Sequence, residues 1–91
     1  MTAVEPRILI EHGNFRRNAR SILKTQYARA FTEAIRTLEL AENPARLGHR
    51  KHEDLEVIGY NIGSDVRLLY QVDYKNHVIY LLAVGSHKIY K

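Results

Sequence analysis

Apolar residues recur along this chain with two different periods, and the change from one to the other divides it in half. A short run, Ile8-Leu9-Ile10, predicts an opening strand that ends near His12-Gly13. Asn14 is placed to act as the N-cap of a helix. Phe15, Ala19, Ile22 and Leu23 follow at i, i+4, i+7 and i+8, which is one helical face. Thr25 predicts the cap of a second helix, whose apolar stripe runs Tyr27, Phe31, Ala34, Ile35, Leu38 and Ala41. Arg29, Glu33 and Arg36 fall on its outer side, with Arg29 and Glu33 spaced as an i,i+4 ion pair. Asn43-Pro44 ends this helix, because proline disfavours helical geometry in the residue before it. So short a connection between the two helices predicts an antiparallel hairpin.

Beyond Pro44 the pattern changes. A polar, cation-rich loop over 45–54 carries Arg46, His49, Arg50, Lys51, His52, Glu53 and Asp54. Strands are predicted over 55–62, 66–73 and 77–84, separated by Gly63-Ser64-Asp65 and Tyr74-Lys75-Asn76, both turn-like in composition. In the middle strand Val66, Leu68, Tyr70 and Val72 share one face, while Arg67, Leu69 and Gln71 share the other. The third strand is apolar on both faces, which suits an interior place in a sheet. A helical pair must bury its stripe, and one face of this sheet is the natural partner. The expected fold is therefore a two-layer α+β domain over 1–91, with a helical hairpin packed on one sheet face and the other face open. Ninety-one residues leave room for one core.

Composition narrows the functional classes. Fourteen Lys/Arg against ten Asp/Glu give a net charge of +4, which favours a polyanionic or acidic partner. The absence of cysteine excludes disulfides, thiol nucleophiles and cysteine-ligated zinc. The first dozen residues lack the apolar segment of a signal peptide, and the longest apolar run, Val78 to Val84, is too short for a membrane span. A cytoplasmic protein without membrane association is expected. There is no glycine-rich phosphate loop, no G-x-S-x-G and no H-E-x-x-H, so nucleotide hydrolysis and metalloprotease chemistry have no support. His49 and His52 are spaced H-x-x-H but lack a third ligand fixed by sequence, so neither a metal nor a cofactor is expected.

Four constellations are chemically suggestive. Arg67, in an otherwise apolar strand, suits bidentate recognition of a phosphate or carboxylate, or simply blunts an exposed sheet surface. His87 follows the last strand and precedes Tyr90, which sets a near-neutral acid/base beside an aromatic platform, or else forms a frayed tail. The 45–54 loop can grip a phosphate backbone and exchange protons, or stay merely solvated. Arg16, Arg17, Arg20 and Lys24 crowd the first helix, where first-turn cations oppose the macrodipole at about 0.3–1 kcal/mol each. A nucleic acid or an acidic peptide would account for them, and so would ordinary solvation.

Taken in order, these features resemble the RelE/ParE superfamily of toxins from type II toxin–antitoxin systems. The resemblance is carried by Ala41-Glu42-Asn43-Pro44 at the helix end, by Asp65-Val66-Arg67-Leu68-Leu69-Tyr70-Gln71-Val72, and by Val84-Gly85-Ser86-His87 leading to Tyr90. It implies a helical hairpin on a twisted, mostly antiparallel sheet of about four strands, with the first strand beside the last and the site on the open face. RelE-type members imply a ribosome-dependent endoribonuclease that cuts mRNA without a metal. They also imply a cognate antitoxin as partner in a hetero-oligomer. Carried over by position, Arg67 matches the phosphate-contacting arginine, His87 the acid/base position, and Tyr90 the C-terminal aromatic. His49, Lys51, His52 and Glu53 are available as the second acid/base, and Arg46, Arg50, Lys51 and Lys88 as RNA-backbone contacts. RelE also carries lysines in the strand before the arginine, whereas 57–62 here has none. Two other readings follow from the same resemblance: a ParE-like inhibitor of DNA gyrase without catalysis, and an inactive homologue that only binds an antitoxin.

The nuclease reading makes a geometric demand. An even turn after Asp73 sets Arg67 on the face of Leu82 and Val84. An odd turn, such as Tyr74-Lys75-Asn76, sets it with Ala83, Gly85 and His87. Either the odd register or a break in alternation at Gly85 is required.

Overall fold

In the computed structural model, which describes residues 5–50 and 56–86, strand β1 (Ile8–Glu11) leads into helices α1 (Phe15–Ile22) and α2 (Ala28–Leu40). A single 3-10 turn (Pro44–Arg46) follows, then β2 (His49–Arg50), β3 (Ile58–Ile62), β4 (Val66–Asp73) and β5 (Val78–Ser86). The strands form one sheet in the order β1-β5-β4-β3-β2. β1 runs parallel to β5 and every other neighbouring pair is antiparallel. The α+β expectation holds, as does the interior place of the doubly apolar strand. The sheet has five strands rather than about four, because His49 and Arg50 of the polar loop pair with Gly59 and Ile58. Two residues are too few for alternation to register in sequence.

The helices cover one sheet face. Phe15, Phe31 and Leu38 pack against Ile58, Leu68, Tyr70 and Ile79, all buried. Burying each such side chain stabilises the fold by roughly 1.5–3 kcal/mol. The Phe15 and Phe31 rings lie 6.2 Å apart, which joins the two helices.

Both predicted caps differ from expectation. Asn14 stands at the α1 N-cap but its side chain makes no capping hydrogen bond. Thr25 lies in the connection, where its hydroxyl donates to the Ile22 carbonyl (2.6 Å) and accepts the Tyr27 N–H (3.1 Å). That local turn uses up the hydroxyl at the corner between the helices, so α2 starts later, at Ala28.

The Asn-Pro segment after α2 is tied to the sheet by two tyrosines. Tyr70 OH donates to the Pro44 carbonyl (2.6 Å). Tyr74 OH donates to Asn43 Oδ1 and accepts the Ala45 N–H (3.2 Å). Arg7, just before β1, is the buried charge of the fold among the described residues. Its backbone N–H donates to the Glu39 carbonyl (3.0 Å), and its guanidinium donates to the carbonyls of Ala41 and Glu42 while lying 5.8 Å over the Tyr74 ring. A cation at the negative end of α2 is favoured both by the helix dipole and by these unpaired carbonyls. Among the described residues no helix is long and apolar enough to cross a membrane.

Candidate functional site on the open sheet face

The face turned away from the helices is built in rows. One row reads Asn61–Arg67–Gly85 across β3, β4 and β5, and the next reads His49–Gly59–Leu69–Ala83 across β2 to β5. Arg67 thus stands on the central strand, one residue from its start, and His49 stands on the same face at the β2 edge.

The register that sets Gly85 opposite Arg67 corrects the expected turn. The β4–β5 connection has four residues, since Asp73 faces Val78, and an even turn alone would put Arg67 in phase with Val84. A β-bulge restores the other phase: Leu69 faces Ala83 but Tyr70 faces Leu81, which leaves Leu82 as one extra residue in β5. Below the bulge Ile79 and Leu81 enter the core, and above it Val84 does. Asn18 of α1 accepts the Val84 N–H at 3.5 Å, a contact from the helical layer just past the extra residue. Arg67, Ala83 and Gly85 are thus brought into one phase by the extra residue at Leu82, not by the turn or by a break at Gly85, while His87 lies outside the described residues.

Arg67 is aimed by two residues that the sequence reading passed over. Its Nε donates to Asn61 Oδ1 at 3.1 Å. Its stem crosses β3 over Gly59, where an added Cβ would lie 3.1 Å from Arg67 Cδ. The side chain therefore leans from β4 toward β2, on the side where His49 pairs with Gly59. An isolated glycine inside a strand pattern is the one local signal that could have pointed here. Asn61 carried no such signal, because its role depends on the cross-strand pairing.

Of the other predicted residues, Arg46 is exposed at the end of the 3-10 turn. Arg50 lies in β2 beside His49. Lys51, His52, Glu53, His87, Lys88 and Tyr90 lie outside the described residues. Among those described, no three His, Asp or Glu side chains come together as a metal-ligand cluster.

Two ionisations are perturbed near the base of the sheet. Burial, followed by the neighbouring Tyr74 and Tyr60, raises the Tyr70 phenol well above its ordinary range. Hydrogen bonds from the Asn76 side chain and backbone hold the exposed Asp73 carboxyl below its usual value.

A family model described as ParE toxin of type II toxin–antitoxin system, parDE, matches residues 14–89. The chain belongs to the ParE toxin family. This ParE-family fold is similar to solved structures that share little of its sequence. The toxin–antitoxin complex RelBE2 from Mycobacterium tuberculosis matches with a TM-score of 0.65 and 19% identity, covering 90% of this chain and 99% of that one. The archaeal RelE–RelB complex from Pyrococcus horikoshii gives 0.66 and 24%, covering 89% and 94%. A mutant of the E. coli toxin RelE in the free state gives 0.67 and 16%, covering 93% and 90%. No curated protein sequence matches the chain significantly.

Proposed function

We propose that this ParE-family chain is a toxin that cleaves mRNA on the ribosome and is neutralised by a cognate antitoxin. The observation that carries the reading is the bulge at Leu82, which puts Arg67 and Gly85 in one row of an open face that also presents His49. The reading takes His87, which lies outside the described residues, as the proton-transfer group that works with Arg67.

The chemistry such a face can perform is an internal displacement. A base takes the proton of a ribose 2′-hydroxyl, and the oxygen attacks the adjacent phosphorus. The P–O5′ bond breaks, and an acid delivers a proton to the departing 5′-oxygen. Arg67, aimed by Asn61, offsets the charge that grows on the non-bridging oxygens. His87 serves one proton transfer, and His49, His52 or another residue of that loop serves the other. Arg46, Arg50, Lys51 and Lys88 hold flanking phosphates, and Tyr90 stacks on a base. Antitoxin pairing is supported by the RelBE2 and RelE–RelB complexes among the similar structures.

Mapping mRNA 5′ ends after induction without antitoxin tests the reading. New ends within translated codons are expected, and Arg67→Ala should reduce their yield by about 10²- to 10³-fold. His87→Ala should relieve growth arrest while the protein still folds. The family match favours a second reading, a ParE-like block of DNA gyrase without catalysis. Intact messages together with arrested DNA supercoiling would select it.

A further inference from the structure

The open face leaves the cations of α1 unused. Residues 12–24 hold Arg16, Arg17, Arg20 and Lys24 and no acid, while the rest of the chain sets ten Lys/Arg against ten Asp/Glu. An excess equal to the whole net charge of this protein therefore sits on one short helix and the turn that ends it. Phe15, Ala19 and Ile22 turn inward. At 100° per residue, Arg16, Arg17 and Arg20 fall within an arc of about 100° on the opposite side, and Lys24 continues it. Arg16 pairs with Glu11 at 3.2 Å, whereas Arg17, Arg20 and Lys24 have no ion pair among the described residues. On α2 the charges are balanced, with Arg29 paired to Glu33.

We infer that this outer stripe of α1 is a second RNA-binding surface, which grips the phosphate backbone of structured RNA on the side opposite the open face. Three features select a nucleic acid over an acidic protein segment. The arc itself holds only Arg, Lys and Ser, whereas protein interfaces centre on apolar side chains and are depleted of charge there. Neutralising phosphates needs charge alone and gains from counterion release. The apolar area on this layer lies to one side, in a groove of about 800 Å³ lined by Leu9, Ala19, Leu23, Phe31 and Ile35, which borders the stripe at Arg16 but not at Arg17, Arg20 or Lys24. The positive end of the α1 dipole adds to the same field. The choice of RNA over other polyanions rests on the ribonuclease proposal: one layer then takes the message and the other the surrounding structured RNA.

The test is fluorescence anisotropy with a labelled RNA hairpin, a DNA hairpin of the same sequence, and polyglutamate as competitor. It is run on the full chain carrying Arg67→Ala, so that cleavage does not enter. Adding R17E, R20E and K24E should weaken hairpin binding by about tenfold or more at low salt, and should lower the slope of log affinity against log salt by about 2 to 3. The neutral set R17Q, R20Q and K24Q should act in the same direction, with an unchanged circular dichroism spectrum. Unchanged affinity in both sets would overturn the inference. So would displacement of the RNA by polyglutamate at equal charge, or tighter binding of the DNA hairpin. A failed nuclease reading would show in the message ends and leave the stripe's hairpin affinity as it is.

Discussion

Gly59 controls where the Arg67 guanidinium lies. Replacing it with alanine puts a methyl group 3.1 Å from Arg67 Cδ, so the stem must give way by a few tenths of an ångström. If Arg67 meets a phosphate, Gly59→Ala should lower message cleavage by about 10- to 100-fold, since small misplacements of a charged group carry costs of that order. Circular dichroism should be unchanged; equal cleavage by the variant would remove Gly59 from the site. Tyr70 is a structural counterpart. Its buried hydroxyl donates to the Pro44 carbonyl, which the Leu47 N–H also reaches at 3.2 Å, so Tyr70→Phe removes one of two hydrogen bonds and should cost about 0.5–1.5 kcal/mol in urea denaturation. Because burial raises the folded phenol above its unfolded value of about 10, the neutral form is the one the fold holds. Its contribution is complete below that pH and declines as pH rises past it, while the unfolded chain ionises. Tyr70→Phe should flatten this alkaline loss. Arg67 was legible in sequence as an odd charge in an apolar strand. Asn61 and Gly59 were not, because their meaning comes from pairing across a turn.

Elements differ in how openly they are written. α2 and β4 have long, regular periods, and their buried faces follow from them, as do the bounds of β4. β2 is two residues long and pairs through its backbone, so nothing in its side chains announces it. The bulge in β5 is hidden for a related reason. Val78 to Val84 is apolar throughout, and an apolar run does not show where one residue has been added to the pleat. Arg7 was passed over as an ordinary charge near the start of the chain, yet it closes the end of α2. Arg7→Ala removes two charge-assisted hydrogen bonds to main-chain carbonyls and should cost about 2–3 kcal/mol, read by chemical denaturation. Arg7→Lys should recover only part of this, because an ammonium lacks the planar fork that reaches both carbonyls. Full recovery would reduce the clamp to simple charge.

At the scale of the molecule, pairing spans nearly the whole chain. β1 lies beside β5, so Ile8 meets Val78 and Leu9 meets Ile79. Contacts this distant in sequence slow folding, and stopped-flow refolding should fall in the range of about milliseconds to seconds, not the microseconds of small helical bundles. A microsecond phase with full amplitude would contradict this. The same pairing has a consequence during synthesis. β5 follows all the other strands in the chain, and until it is free β1 has no strand beside it and β4 has only β3. A chain made only as far as β4 therefore lacks the finished sheet, because the strand that joins β1 to β4 is missing. The open face that holds Arg67 is complete only once this last strand has docked between its two neighbours.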